Sequence, residues 1–319
     1  MILVTGGTGF IGRALVRHLS EAGYPVRTLI RPSPRTPRLP RGVPVDAAVA
    51  SLRDKSGLRS ALRGVDTVFH LASAEHQGAR ANLLATDIQG TLNLAEAAAE
   101  SNVRRFVFIS HLDADRASAF PVMKAKGIAE EYIRRSGVTY TIVRSSLVYG
   151  PEDHFTSGLA WMIRRAPFIM PIPAGGQTRI QPLWVEDLVT CLLYASESAE
   201  AANQTYEIGG SEHFSLRQVI EIIMRVSRRR RRLISLSLPA MRALTVYLEQ
   251  SVRGFPASGF WLDYVAVNRT CDVNSLPRYF GLMPARFAYR LDYLAPPPRM
   301  NLLQWLRQQT AMMTRLFRR

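Results

Sequence analysis

Phe120 and Lys124 in the stretch AFPVMKAKG stand four residues apart, the interval that brings two side chains onto one face of a helix. The following KAKGIAEEYIRRSG reads as helix, so the two side chains are expected to share a face. A lysine so placed can hold a ligand or tune a neighbour's proton, whereas a phenyl ring can do neither. A second chemical signal is GGTGFIG, which sets Gly6, Gly9 and Gly12 in G-x-x-G-x-x-G spacing with Thr8, Phe10 and Ile11 between them. Such a loop between a strand and a helix lets backbone N–H groups approach a pyrophosphate seated on the helix's positive end. At about 20 residues further on, a NAD-type site places an acid against the adenosine ribose. Here LIRPS supplies Arg31 and no acid. A guanidinium at that place can clamp a 2′-phosphate, which favours NADP(H) over NAD(H). The other reading of Arg31 is a solvated side chain in an already basic loop.

The elements that must position these residues follow from hydrophobic periodicity. ILVT at residues 2–5 is a short apolar run, the glycines turn the chain, and FIGRALVRHLSEAG has helical spacing up to Gly23. PVRTLIR, DTVFHLAS, RRFVFIS and VTYTIVRSSLVYG read as further strands, and ANLLATDIQGTLNLAEAAAESN as a long helix. The Pro- and Arg-rich PSPRTPRLPRGVP is expected to be an exposed loop. Strands with near-continuous apolar character, alternating with helices, specify a parallel sheet covered on both faces. The expected fold is therefore α/β: a Rossmann-type doubly wound parallel sheet with a smaller C-terminal lobe and a basic amphipathic tail helix. Residues 1–150 form the NAD(P)-binding domain in this reading, with sheet elements returning from roughly 176–210; residues 151–295 form a substrate or cap lobe, and 296–319 the tail. RRRRR, Arg228 to Arg232, is expected to close a helix, where cations complement the dipole. Asp54, Asp66, Glu186 and Asp187 read as surface or cap residues.

Taken in order, TGGTGFIG, VFHLAS, GTLNLAEAA, RFVFIS, RSSLVYGP, PLWVEDLV and TYEIGG resemble the extended and atypical short-chain dehydrogenase/reductases, the NAD-dependent epimerase/dehydratase-like proteins. The resemblance spans roughly residues 1–225 and is strongest to the branch that contains the nucleotide-binding accessory subunit of respiratory complex I. It implies a catalytic Y-x-x-x-K, with tyrosine as general acid or base and lysine on the nicotinamide ribose, and a serine at the preceding strand end. Carried onto this chain, Lys124 matches the lysine, Ser110 lies near the serine position, and Phe120 stands where the tyrosine belongs. Loss of the phenol removes an acid-base step worth about 10²–10⁴ in rate. His111 and Tyr149 are the candidates to replace it. The resemblance also brings Leu71, Ala72 and Ser73 past the cofactor's phosphate and ribose, and Ser145, Ser146, Leu147 and Val148 past the nicotinamide. The acid usual after the third strand has no clean match, since VASLRD offers Ser51 and Leu52, which puts adenine recognition in doubt.

The formal net charge of +16 over 319 residues favours anionic partners or a generally basic surface. Two cysteines, Cys191 and Cys271, fall in segments that read as core and argue against a disulfide framework, and no metal-ligand spacing occurs. The chain starts directly in a strand, so a cytoplasmic location is expected, with any membrane contact peripheral on the inner face. The tail NLLQWLRQQTAMMTRLFRR gathers Leu302, Leu303, Trp305, Leu306, Met312, Met313, Leu316 and Phe317 on one side, opposite Arg307, Arg315 and Arg318. Three fates are open to such a helix: packing on its own domain, an anionic membrane interface, or a protein partner. Nucleic acid is disfavoured, because the arginines are neither interleaved with aromatics nor part of a reading module. The expected function is NADP(H) binding without efficient redox chemistry, in a structural, assembly or sensing role near a membrane or a respiratory complex. The competing expectation is an active NADP(H)-dependent reductase, epimerase or dehydratase.

Overall fold

A computed structural model describes residues 1–33, 39 and 42–296. Beyond residue 296, the tail expected at 296–319 lies outside the described residues, as does most of the Pro- and Arg-rich loop. The first half runs β1 (Ile2–Thr5), α1 (Phe10–Glu21), β2 (Val26–Ile30), β3 (Asp46–Val49), α2 (Lys55–Ala61), β4 (Thr67–His70), α3 (Gln89–Glu100), β5 (Arg105–His111), α4 (Pro121–Arg135) and β6 (Tyr140–Ser145). The second half adds β7 (Val148–Tyr149), α5 (Thr156–Arg165), β8 (Ile169–Pro173), β9 (Arg179–Ile180), β10 (Leu183–Trp184), α6 (Val185–Glu197), β11 (Gln204–Ile208), β12 (Phe214–Ser215), α7 (Leu216–Val226), β13 (Arg232–Leu236), α8 (Leu238–Ser251), α9 (Gly259–Tyr264) and α10 (Ser275–Phe280).

Seven strands form one parallel sheet in the order β11-β6-β5-β4-β1-β2-β3. Alternation along each strand divides its side chains between two cores. Ile2, Val4, Phe69, Val107, Ile109 and Val143 pack with Leu15 and Leu19 of α1 and Leu188 and Leu192 of α6. Leu3, Val68, Phe106, Phe108 and Ile142 face the other way, onto α2, α3 and α4. Edge strand β3 escapes the periodicity reading because its residues are mostly exposed and carry no apolar alternation. Asp54 caps α2 through Gly57 N–H, and Glu186 pairs with Arg17, tying α6 to α1. Asp187 accepts from the Ala285 backbone.

The last sheet strand, β11, comes from beyond residue 200, after the chain has left the sheet and returned through α6. A third core gathers Tyr149, Phe155, Leu159, Ile172, Leu216, Val219, Ile223 and Phe287 in a second lobe. Its α7 opens with a reciprocal capping box between Ser215 and Gln218. The helix ends at Val226, earlier than the arginine run predicts: Arg228 turns the chain at φ 52°, and Arg232 already belongs to β13. Most of the run therefore lies in the link beyond the helix and not in its last turn. Cys191 is buried, while Cys271 is only half-buried, and both are free.

Candidate functional site

In a parallel sheet every strand ends on the same edge, and strand order here reverses direction between β1 and β4. Ligands of open α/β sheets bind in the crevice at such a switch point. The first wall of the crevice is the glycine loop. Gly6 has φ +73°, and a Cβ on it would lie 2.7 Å from the backbone of Leu71 and Ala72. A Cβ on Gly12 would lie 2.1 Å from the Gly6 carbonyl oxygen. The loop thus closes only with hydrogen at both places, and Gly9 N–H donates to Gly6 C=O at 2.9 Å inside it. Helix α1 has Gly9 as N-cap with no side-chain cap and no acid in its first turn. No acid of the helix's own first turn competes for its leading N–H groups, which is the arrangement a pyrophosphate needs. The residues present fit a dinucleotide.

A buried relay props the loop from below. Ala72 N–H donates to Thr5 Oγ1 at 3.4 Å, Thr5 Oγ1 lies 2.6 Å from His70 Nδ1, His70 Nε2 lies 2.9 Å from Thr91 Oγ1, and Thr91 donates to the Asp87 carbonyl at 2.6 Å. With the Thr91 proton committed to Asp87, the Thr91 oxygen accepts, which puts the imidazole proton on Nε2 and leaves Nδ1 to accept from Thr5. Burial, with the nearby charge of Lys126, pushes the His70 pKa down to about 3. The ring is therefore a neutral strut. Ser73 supports the same turn by accepting from Glu75 N–H at 3.3 Å.

Helix α4 presents its two lysines differently from the sequence expectation. Phe120 is the N-cap, in extended conformation, and the helix begins at Pro121. Phe120 is half-buried under the Arg269 guanidinium, whereas Lys124 is exposed, so the expected pair does not share an environment. Lys126 is the lysine that turns inward. It is 4% exposed, with Nζ 3.6 Å from Asp87 Oδ1, 3.4 Å from the Ile109 carbonyl and 5.1 Å from the Phe108 ring centroid. Two positions along a helix separate side chains by about 200°, so only one of Lys124 and Lys126 can face the sheet. The stripe of Val122, Ala125, Ala129 and Ile133 carried that signal, and Lys126 falls within it.

Strand parity decides the place of Ser110. It points with Phe106 and Phe108 toward α4, is fully buried, and donates to Glu130 Oε1 at 2.6 Å. Glu130 also receives Arg144 at 3.0 and 2.8 Å and Arg134 at 2.9 Å. That hydroxyl serves the interior and not the crevice. His111, of opposite parity, ends β5 with Nε2 2.7 Å from Glu75 Oε2. Burial works against the Glu75 charge, but His111, its hydrogen bond and Lys126 outweigh it and hold the pKa at about 2. His111 Nδ1 is buried without a hydrogen-bond partner among the described residues, and the Tyr264 ring stands edge-on to the imidazole at 5.9 Å. Arg269 lies between Phe120 and Tyr264, its guanidinium 5.4 and 5.3 Å from the two rings, and donates to Leu112 C=O and Asp113. Glu75, Tyr264 and Arg269 join the site from distant segments, with no local spacing to reveal them.

Tyr149 is packed between Trp184 and Phe287 in the third core, and burial raises its pKa. It does not line the crevice as an exchangeable acid. Ser145 and Ser146 are buried with their hydroxyls donating to Ser110 C=O and Gln181 C=O, at 3.4 and 2.5 Å. Leu147 belongs to the third core and Val148 packs against the first. Arg31 follows β2 directly, is exposed, and forms no ion pair among the described residues. Phe10 closes on Gly150, where a Cβ would lie 3.2 Å from its ring. Arg13 bonds Thr8 C=O at 2.8 Å and Glu152 at 2.6 Å, fastening the loop after β7 over the glycine turn. Leu52 offers its carbonyl to Asn93 at 2.9 Å. No cluster of metal-ligating side chains occurs among the described residues, and no helix there is long and apolar enough to cross a membrane.

Comparison with known proteins agrees with this geometry. The family described as NAD(P)H-binding matches residues 6–171, more than half of the chain. The Arabidopsis thaliana mitochondrial NADH dehydrogenase [ubiquinone] 1 alpha subcomplex subunit 9 is 26% identical over 79% of this chain and 64% of its own. The chain thus spans less than two thirds of that relative. Photosystem II assembly factor Ycf39 of Synechocystis is 24% identical over 92% of this chain and 89% of its own. Among solved structures, a short-chain dehydrogenase/reductase superfamily protein of Agrobacterium tumefaciens with bound NAD superposes with a TM-score of 0.68 at 22% identity, covering 99% of both chains. The chain belongs to the NAD(P)H-binding family and is an atypical short-chain dehydrogenase/reductase.

Proposed function

We propose that the crevice binds NADP(H) in preference to NAD(H), and that the protein serves as a nucleotide-dependent structural, assembly or sensing component near a membrane or a respiratory complex. One observation carries the reading: the residue four before inward-facing Lys126 is Val122, and the one four before Lys124 is Phe120. Neither register supplies a phenol to exchange a proton. When bound, the nicotinamide offers a hydride, and this chain's own residues hold and shelter it. The α1 amides and Arg13 would hold the pyrophosphate, Lys126 would serve the nicotinamide ribose, and Arg31 would favour a 2′-phosphate. The names of the complex I subunit and of the photosystem assembly factor support an association role, since they describe proteins that work within or upon larger assemblies.

A second reading, an active reductase, epimerase or dehydratase, is favoured by the His111–Glu75 pair. Its imidazole stands at the end of β5 with a second nitrogen uncommitted among the described residues. Isothermal titration with NADPH and NADH, paired with an assay of cofactor oxidation over a carbonyl-substrate panel, separates the two. Tight NADPH binding without oxidation is expected, with oxidation emerging in Val122→Tyr. Oxidation by the unmodified protein that His111→Gln abolishes would overturn the binding-only reading. Failure to bind either nucleotide would remove the cofactor claim.

A further inference from the structure

We infer that the second lobe carries a docking surface for an anionic lipid bilayer, formed where α5 and α7 deliver the chain into β8 and β13. This surface is independent of the nucleotide crevice. Strands β8 and β13 run parallel with Ile169 opposite Arg232, Pro171 opposite Ile234 and Pro173 opposite Leu236, so their first residues lie side by side. Met170, Ile172 and Leu233 turn toward the lobe's core. Alternation sends Ile169 and Ile234 to the other face, where both are exposed. Phe168, whose carbonyl accepts from Arg232 N–H at 3.0 Å, is 82% exposed at the tip. A phenyl ring left in water beside an exposed isoleucine gains by transfer to an apolar phase.

Cations surround that tip. Arg164 and Arg165 occupy the last turn of α5, Arg225 the last turn of α7, and Arg228 to Arg232 the link into β13. None of these eight forms an ion pair among the described residues, although seventeen pairs occur elsewhere. Residues 154–185 and 222–248 contain no acidic side chain at all. Arg165 lies over the half-buried Trp161 at 4.1 Å, which sets a tryptophan at the rim of the basic zone. Leu238, Val246 and Tyr247 of α8 add further exposed apolar surface to the same lobe.

An apolar point ringed by unpaired guanidinium groups matches the two layers of an anionic membrane surface, with phosphates above and acyl chains beneath. Nucleic acid offers the phosphates but no apolar layer for Phe168, Ile169 and Ile234 to enter. Arginine is also the cation whose fork pairs two-handedly with phosphate oxygens.

The test is flotation of the full chain with vesicles of phosphatidylcholine alone and of phosphatidylcholine mixed with phosphatidylglycerol, at low and high salt. The surface variants are Arg229→Glu with Arg230→Glu, and Phe168→Ser with Ile169→Ser. All four side chains are exposed, and unchanged thermal melts verify the fold. The parent is expected to float with the anionic vesicles only and to lose binding as salt rises. Charge reversal is expected to cut the bound fraction by about tenfold or more, consistent with two contacts per headgroup layer being reversed. The serine pair is expected to weaken binding at every salt concentration, and Phe168→Trp to shift its emission to the blue on anionic vesicles. Variants that float as well as the parent would assign the membrane contact to another segment and overturn the inference. So would a parent that binds duplex DNA but neither kind of vesicle.

Discussion

Removing the Lys126 ammonium while Asp87 stays in place would leave a carboxylate that is 2% exposed without its cation. Breaking a buried pair on one side costs about 3–5 kcal/mol, because the remaining charge has nowhere to be solvated. Lys126→Met should therefore lower unfolding free energy by that order in urea titration, and Asp87→Asn in the same chain should restore most of it. Lys124→Ala should stay within about 0.5 kcal/mol of the parent, as an exposed side chain with no partner among the described residues does. Equal effects at the two lysines would remove the case for Lys126 as the inward one. His70 sets a different test, in pH. Its folded pKa of about 3 lies below the ordinary 6.5, so between these values the unfolded chain binds the proton and the folded chain does not. Stability from this group is complete above pH 6.5 and falls as pH drops, by about 1.4 kcal/mol per unit. Glu75, lowered from 4.5 to about 2, contributes its own loss only below pH 4.5. His70→Gln should flatten the stability curve between pH 6.5 and 4.5, and an unchanged slope would show that His70 is not the buried neutral strut.

At the scale of elements, the glycine turn and α1 form one unit whose geometry tolerates no side chain at Gly12. A methyl group there meets the Gly6 carbonyl at 2.1 Å, and the obstacle is backbone that cannot rotate aside. Gly12→Ala should lower the melting temperature and weaken NADPH binding by about tenfold or more, since the loop must open the N–H cradle to admit the methyl. Retained affinity by isothermal titration would mean that the cradle lies elsewhere. This unit was fully legible in the sequence, because strand, glycines and helix are contiguous and each leaves its own local pattern. The sheet was legible for a similar reason: strands buried on both faces read as apolar runs, while exposed β3 did not. The register of α4 was not recovered, since Phe120 and Lys124 satisfy helical spacing as well as Val122 and Lys126 do. Only the choice of which face meets the sheet separates them, and the apolar stripe that marks that face was weaker than the motif. His111 and Glu75 meet across 36 residues, and Arg269 reaches Leu112 across 157, so no window of sequence contains either contact.

For the molecule as a whole, Arg269 is a buried side chain through which the second lobe grips the first. It is 1% exposed, bonds Tyr264 C=O at 3.1 Å within its own lobe, and crosses to Leu112 C=O and Asp113 beyond the end of β5. Phe120, at the start of α4, packs under the same guanidinium and so takes part in the lobe contact. Arg269→Met keeps the length of the side chain and loses every hydrogen bond, leaving buried carbonyls to bear a desolvation cost of about 1–3 kcal/mol each. Coupling between the lobes should fall by a comparable amount. In calorimetry the parent should melt in one transition, which NADPH at about 100 times its Kd raises by the equivalent of roughly 2.7 kcal/mol. The variant should melt in two, of which nucleotide raises only the one belonging to the sheet lobe. A variant that keeps a single transition and follows the parent's shift with NADPH would show that the lobes are held together by the wider apolar contact, and that Arg269 acts only within the crevice.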